Sequence, residues 1–323
     1  MKVVTRIVEV LAFPSVQLLD VTGPLQVFVS ANDQVVAAGG TAPSAPRVVA
    51  QSGQDITTSA GLALSTHPLP PAGSPVDTLM VAGGEGVEAA SADPVLVDWV
   101  RVRAGQARRT ASVCTGAFLL AASGVLDGRR AATHWSFCTE LARRYPAVTV
   151  EPDPIFIHDG PVWTSAGVTS GIDLALALVE EDLGRAVALA VARYLVVFLK
   201  RPGGQAQFSA GLALSGTDAT FDRLHDWMKQ NLRANLAVPA LAEQVGMSER
   251  SFIRHYHHST GITPARAVER IRVEAARQAL GRTTLPLKRI ARDCGFGSEE
   301  TMRRSFLRTL SVPPHAYRER FPV

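Results

Sequence analysis

The sequence predicts an α/β domain with a doubly wound, mostly parallel sheet over residues 1–200, joined to an all-α domain over residues 218–323. Strand and helix patterns alternate along the first two hundred residues, whereas every segment after Asp218 has the periodicity of a helix. Alternating strands and helices indicate a parallel sheet covered by helices on both faces. The length of 323 residues also exceeds one typical hydrophobic core, so two domains are expected.

The strands of the first domain are predicted where short apolar runs end in turn residues, as buried parallel strands do. Its helices are predicted where apolar residues recur at helical spacing, with Asp93 as a cap, Pro94 at a first position and glycines after a last turn. The predicted strands are residues 6–13, 46–52, 77–84 and the run that ends at Cys114. The predicted helices are residues 23–40 and 93–104, the segment after Cys114, and the apolar segments within 164–184 and 185–200.

Residues 201–217 are predicted to be a linker between the two domains. This stretch is rich in Gly, Ser and Gln and has no regular hydrophobic period. Such a composition is typical of a flexible connection.

The composition excludes several classes of protein. Glu9 interrupts the apolar start of the chain, which is unlike a secretory signal, and Arg193 lies in the most apolar segment, which is too short to span a bilayer. Three widely spaced cysteines indicate neither a disulfide framework nor a zinc site. We therefore expect a cytoplasmic protein that binds no membrane.

The charge is unevenly divided between the two predicted domains. From Asp218 onward there are 18 Lys and Arg against 11 Asp and Glu, a net charge of +7, while the first 217 residues carry −3. A basic small domain has the charge expected of a protein that binds phosphate backbones. An arginine-rich helical surface without such a partner is the alternative.

The second domain contains an internal repeat. Each copy has a short helix, a turn with glycine, a second helix that begins after a serine, and a third helix that begins with a proline; this is the order of a helix-turn-helix unit. The two copies match at Ala242 and Ala291, Gly246 and Gly295, Ser248 and Ser298, Arg254 and Arg304, Tyr256 and Phe306, and Pro264 and Pro314.

The second helix of each copy has one apolar and one basic face. Phe252 with Tyr256, and Met302 with Phe306, recur at four-residue spacing and are expected to pack inward. A major groove admits one helix, and two such helices suit successive grooves about 34 Å apart. The residues predicted to face double-stranded DNA are Arg250, Ile253 and Arg254 in the first copy, and Glu300, Arg303 and Arg304 in the second.

This repeat resembles the DNA-binding domain of the AraC/XylS family of bacterial transcription regulators. The resemblance covers residues 218–323 and is most specific over residues 295–321. It implies a double helix-turn-helix, the six DNA-facing positions named above, and a dimer that binds operator DNA. One departure is Ser311, where the first copy has Gly261.

The histidines of the first copy do not form a convincing metal site. His255 and His258 lie one helical turn apart, but no cysteine or carboxylate nearby completes a four-ligand set. We expect no metal and no other cofactor.

Cys114 stands where a strand pattern changes to a helix pattern. Ser112 and Gly116 give it small neighbours two residues away on each side, the spacing of a sharp nucleophile elbow. At the positive end of a helix the pKa of a thiol is lowered. A small buried cysteine that packs as a hydrophobic residue is the alternative.

Two further residues could act on this cysteine. His134 follows it by twenty residues and is the nearest candidate base, although nothing in the sequence brings the two together, so a structural or pocket-lining role is expected. Asp20 follows the first strand, at the carboxyl end of the sheet where such folds bind ligands, and could hold a proton.

Residues 13–24, 79–86, 111–135 and 163–184 resemble the ThiJ/PfpI superfamily, which has a flavodoxin-like, class I glutamine-amidotransferase-like fold. Two branches are similar: isonitrile hydratase, whose catalytic residues correspond to Cys114, Thr115 and Asp20, and the GlxA-like regulators, which join this domain to an AraC-type one. Proteases of the superfamily have His where Thr115 stands, which counts against peptidase chemistry. By resemblance the pocket contains Asp20, Gly83, Gly84, Glu85, Cys114, Thr115 and His134.

These patterns support three hypotheses. The first is a one-component transcription regulator, a homodimer that senses a small nitrogenous or amino-acid-derived effector through a non-catalytic pocket. The second is a cysteine enzyme of the isonitrile hydratase or amidase type with a fused DNA-binding domain. The third is a regulator in which an accessible, acidic Cys114 thiol senses oxidation.

Overall fold

The computed structural model describes residues 5–51, 53–199, 204–205, 219–310 and 312–320, and of Ala219, Arg282 and Arg320 only the backbone. The chain divides between residues 201 and 202 into two compact units. Most of the predicted linker, Asp218 and Ser311 lie outside the described residues. The bounds predicted for the domains and the linker therefore stay a prediction.

The first unit is built around a seven-stranded sheet in the order β10-β11-β7-β6-β1-β2-β5. Every neighbouring pair in it is parallel except β10 with β11, which confirms the mostly parallel sheet. The strands of this sheet are β1 (Arg6–Leu11), β2 (Ser44–Ala50), β5 (His67–Pro68), β6 (Thr78–Val81), β7 (Arg109–Ser112), β10 (Phe156–Asp159) and β11 (Val162–Ser165). The other strands form two-stranded pairs, β3 (Ile56–Thr57) with β4 (Ala63–Leu64) and β8 (Arg130–Ala131) with β9 (Thr149–Val150).

Two groups of helices pack against this sheet, as expected of a doubly wound fold. One group is α1, α6 and α7, and the other is α2, α3 and α4. The helices are α1 (Leu18–Ala37), α2 (Val87–Ala92), α3 (Pro94–Gln106), α4 (Gly116–Ala122), α5 (Cys138–Arg144), α6 (Ser170–Leu183) and α7 (Arg185–Tyr194). Asp93 accepts hydrogen bonds from the amides of Val95 and Leu96, which confirms the predicted cap of α3.

The first helix begins earlier than the sequence predicts. Proline is typical of a first helical turn and indicates a start at residue 23, but α1 begins at Leu18 and carries Pro24 as its seventh residue. The earlier start buries Val21 and places Asp20 in the first turn, inside the protein. It therefore moves Asp20 from a loop onto a helix.

The second unit is entirely helical among its described residues. Its helices are α8 (Ala219–Gln230), α9 (Val238–Gln244), α10 (Glu249–Thr260), α11 (Pro264–Arg282), α12 (Leu287–Asp293), α13 (Glu299–Leu310) and α14 (Pro314–Arg320). Helices α9 and α10 form the first helix-turn-helix and α12 and α13 the second, in agreement with the predicted repeat.

Each helix-turn-helix has a hydrophobic core of its own, and α11 belongs to both cores. Ala267, Val268 and Ile271 of this helix pack in the first core. Val273 and Ala276 pack in the second. One continuous helix therefore holds the two repeats at a defined separation.

No helix in the part of the chain that the structure describes is both long and apolar enough to cross a membrane.

Candidate functional site

Helices α10 and α13 are the second helices of the two helix-turn-helix units, and we call them the reading helices because the sequence predicts that they face DNA. They are anchored by the residues that the sequence predicts to pack inward. Phe252, Tyr256, Met302 and Phe306 are each 0% exposed. Nε2 of His225, on α8, lies 2.6 Å from the Tyr256 hydroxyl and adds a polar contact beneath α10. The inward faces of both helices are confirmed.

The six residues predicted to face DNA are exposed on the opposite sides of these helices. Arg250 and Arg254 have no ion-pair partner among the residues that the structure describes. In the second copy, Glu300 accepts from Arg303 at 2.7 Å and lies 3.8 Å from Arg304. The first reading helix therefore presents two unpaired guanidinium groups, while the second presents a linked acid–arginine cluster.

No group of three or more His, Cys, Asp or Glu side chains is placed to hold a metal ion in the described ranges.

Cys114 forms the sharp turn that the sequence predicts between a strand and a helix. Its backbone has a φ of 56°, in the left-handed region that is costly for a residue with a side chain. The Cys114 amide donates to the Ala166 carbonyl at 2.9 Å, and the Thr133 hydroxyl donates to the Cys114 carbonyl at 2.9 Å. These bonds hold the strained residue in place.

The glycine after this turn is required by close packing. A Cβ atom at Gly116 would lie 2.3 Å from the Val81 carbonyl oxygen, well inside contact distance. Small residues at the predicted elbow spacing therefore let α4 begin directly against β6.

Asp20 is buried beside Cys114. Its carboxylate is 0% exposed, and the Gly83 amide donates to its Oδ2 at 3.0 Å. Burial raises the pKa of Asp20 to about 7, because hydrogen bonds from the Gly83 amide and the Cys114 thiol offset only part of the lost solvation. Near neutral pH this acid is therefore able to donate or to accept a proton.

The loop at Gly83 and Gly84 connects Asp20 to Thr115. The Gly84 amide donates to the Thr115 hydroxyl at 2.9 Å. A Cβ atom at Gly83 would lie 2.6 Å from the Thr115 nitrogen and 2.9 Å from Asp20 Oδ2, so no larger residue fits. Glu85 is exposed, and no hydrogen bond or ion pair joins it to the described residues of this group.

The Cys114 thiol does not have the lowered pKa that its position predicts. Burial, and after it the charge of Asp20, raises the pKa of this thiol to about 12, against smaller opposing hydrogen bonds from Val168 and Thr115. The thiol is also only 7% exposed. The helix end is outweighed by lost solvation and a neighbouring acid, so the expectation of an acidic, accessible thiol is wrong.

No hydrogen bond among the described residues joins His134 to Cys114. Its Nδ1 accepts from the Ser136 amide at 3.3 Å, and its ring packs so closely on Gly167 that a Cβ there would lie 2.1 Å from Cδ2. Burial lowers the pKa of His134. The lowered pKa favours the neutral ring, but no hydrogen bond among the described residues places that ring to take the Cys114 proton.

Two family models match this chain, one in each of its two units. The DJ-1/PfpI family matches residues 6–181, more than half of the chain. The chain belongs to the DJ-1/PfpI family. A helix-turn-helix domain family matches residues 241–320, which covers both repeats. Together the two matches confirm the resemblance to regulators that join a DJ-1/PfpI domain to an AraC-type domain.

Individual relatives match the whole chain or its first unit to different extents. The HTH-type transcriptional regulator Rv1931c of Mycobacterium tuberculosis is 34% identical over 77% of this chain and 97% of its own length. The isonitrile hydratase of Pseudomonas putida is 37% identical over 54% of this chain and 71% of its own length. The crystal structure of a ThiJ/PfpI family protein from Pseudomonas syringae is 27% identical, with a TM-score of 0.53 over 62% of this chain and 78% of that one.

Some residues of the DJ-1/PfpI site carry no signal in the sequence. The Thr133 hydroxyl bonds to the Cys114 carbonyl, and the Val168 backbone bonds to the Cys114 thiol. Gly167 leaves room for the His134 ring. Val168 has a φ of 41°, which its β-branched side chain disfavours. Only the fold brings these residues to the cysteine.

Proposed function

We propose that the chain is a one-component transcription regulator, a cytoplasmic homodimer that binds operator DNA through α10 and α13 and an effector through its DJ-1/PfpI domain. The single observation that carries the proposal is the pair of exposed, arginine-bearing helices, each fixed by its own core and joined by α11. A relative whose similarity extends over 77% of this chain is named as an HTH-type transcriptional regulator. The separate cores argue against a plain helical bundle with arginines on its surface.

The length of α11 fits two reading helices in successive major grooves. Its 19 residues extend over about 28 Å at the usual rise per residue. Successive grooves on one face of B-DNA lie about 34 Å apart. A rigid helix of this length supports reading of two adjacent turns on one face of the duplex.

The DJ-1/PfpI domain is proposed to bind a small nitrogenous or amino-acid-derived effector at Asp20, Cys114 and Thr115, without turning it over. A buried acid with a pKa near neutral can accept a hydrogen bond from an amine or an amide. An effector changes DNA binding only if it binds the two states of the regulator unequally. The pocket is the part of the chain where that difference is expected to arise.

The test is binding of the full-length protein to a fluorescent duplex that carries its own upstream region, with an unrelated duplex as reference. Replacing Arg254 with Ala should weaken specific binding by about 1–3 kcal/mol, since each such arginine reads one base. Arg143→Ala is the matched control, because it removes an exposed arginine from the first unit. Equal affinity for both duplexes in the wild type would contradict the proposal.

A second candidate is an enzyme of the isonitrile hydratase type. It is favoured by the contact between Asp20 and Cys114 next to Thr115, and by the similarity to the isonitrile hydratase of Pseudomonas putida. Turnover of an isonitrile or an amide by the purified protein, abolished by Cys114→Ser, would support this candidate. Absence of turnover alongside specific DNA binding would leave the regulator.

A further inference from the structure

A surface groove of about 450 Å³ lies between α11 and α13, where the first repeat meets the reading helix of the second. None of the residues that line it is among the six predicted to face DNA. Those used below are Arg266, Glu269, Arg272, Thr301 and Arg308. We call this feature the inter-repeat groove.

The inter-repeat groove carries excess positive charge. Glu269 accepts from Arg266 at 2.7 Å and from Nε of Arg308 at 2.9 Å, so one carboxylate is shared by two arginines. Arg272 donates to the carbonyls of Leu232 and Ala234 and has no carboxylate partner within the described ranges. The lining of the groove therefore contains three arginines and one carboxylate.

Glu269 also fixes the geometry of the groove. It holds Arg266 of α11 and Arg308 of α13 toward each other across the space between the helices. Arginine side chains that are already ordered lose less conformational entropy when they bind an anion. Glu269 therefore acts as a positioning residue for the two guanidinium groups.

The groove opens beside the face that α13 presents to DNA. Arg308 follows Arg304 by one helical turn, and Thr301 directly follows Glu300. Residues four apart on a helix lie on the same side. A duplex that contacts Arg304 therefore passes close to Arg308.

We propose that the inter-repeat groove binds the phosphate backbone of the DNA segment that lies between the two major grooves read by α10 and α13. This inference rests on the proposed function and adds a contact that sets affinity and register. Phosphate contacts position a protein on the duplex and carry no direct sequence information. Two reading helices on one rigid α11 leave a strand of backbone between them, and its charge complements that of the groove.

The decisive variant places a negative charge in the groove without weakening α13. Thr301 is the third residue of α13 after its cap Ser298, whose Oγ accepts from the Thr301 amide at 3.1 Å. Glu and Gln are both favourable at this position, where they complete a capping box. Thr301→Glu should lower affinity about tenfold for the upstream duplex and for an unrelated duplex alike. Thr301→Gln, the neutral control, should stay within about twofold of the wild type.

The salt dependence gives a second readout. Each phosphate contact contributes about 0.9 to the slope of log affinity against log salt, so Arg266→Ala combined with Arg308→Ala should reduce the slope by about 1–2. Arg270→Ala is the matched control for the single variant Arg266→Ala, because each removes one positive charge from α11 and Arg270 does not line the groove; its slope should change less. The ratio of specific to unspecific affinity should stay constant in the double variant.

The outcomes separate this inference from the proposed function. If the wild-type protein binds the duplex and the double variant shows the same slope of log affinity against log salt, the groove contact is overturned and the proposed function stands. A loss of affinity confined to one base position of the operator would show that Arg308 reads a base, and would overturn the proposed backbone contact. Competition by millimolar inorganic phosphate that requires these arginines would assign the groove to a small anion, and would also overturn it. A wild type that binds no duplex would overturn both.

Discussion

Replacing Asp20 with Asn should change how the stability of the first unit depends on pH. Asp20 has a pKa of about 7 in the folded protein, against about 3.9 for an exposed aspartate in the unfolded chain. Folding therefore favours the protonated acid. The contribution of protonated Asp20 to the stability of the first unit is fully present below about pH 4. It is lost as the pH rises from about 4 to 7, because the acid ionises in the unfolded chain at lower pH than in the folded protein.

The size of the effect follows from the two pKa values. A difference of about three pKa units corresponds to roughly 4 kcal/mol in the free energy of unfolding. About 3 kcal/mol of this lies between pH 5 and pH 8. An asparagine amide does not ionise, so the stability of the Asp20→Asn variant relative to the wild type should increase by that amount over this range.

The assay is urea unfolding of the full-length protein followed by tryptophan fluorescence, because Trp99, Trp135 and Trp163 report on the first unit. Asp33→Asn is the matched control, since it makes the same change on an exposed position of α1 and should show no such trend. A stability difference between Asp20→Asn and wild type that stays constant from pH 5 to pH 8 would refute the buried, near-neutral acid.

Three further predictions concern the second unit, the thiol and a second acid. Phe306→Ala should destabilise the second unit by about 3–5 kcal/mol in urea unfolding, because the ring is fully buried, while the transition of the first unit stays in place; a joint shift would show that the units unfold together. Cys114→Ser should leave the affinity for the fluorescent upstream duplex unchanged and alter the response to effector; loss of folding, measured by circular dichroism, would favour a packing role. Asp77, whose pKa is lowered overall by Arg108 against its own burial, should contribute stability above pH 4 that is lost in acid. Asp77→Asn should therefore reduce the fall in the free energy of unfolding between about pH 5 and pH 2. An unchanged fall would contradict the ion pair.

The two domains and most of their elements could be predicted because their signals are local. The period of apolar residues indicated the strands and helices, Asp93 and Pro94 indicated the start of α3, and the repeat indicated two helix-turn-helix units. The sequence did not predict β5, β10 and β11 of the main sheet, nor the short β3–β4 and β8–β9 pairs. Strands of two to four residues are too short for a hydrophobic period to be seen.

The structure brings together some of the residues that the resemblance assigns to the pocket. Asp20, Gly83, Gly84, Cys114 and Thr115 lie in contact, whereas Glu85 is exposed and makes no described contact with them, and the assignment of a pocket stays a prediction. The raised pKa of the Cys114 thiol was not predictable, because it depends on burial and on an acid far earlier in the chain. The same holds for the packing of His134 on Gly167.

What the sequence by itself determined is therefore the set of elements, the duplicated reading helices and the residues that each helix turns inward or outward, because side-chain periodicity along one element decides these features. The tertiary structure alone decided the protonation of Asp20 and Cys114, the sharing of Glu269 by two arginines, and the inter-repeat groove. Each of these depends on solvation and charge between residues distant in the chain, and such distances exist only once the chain has folded.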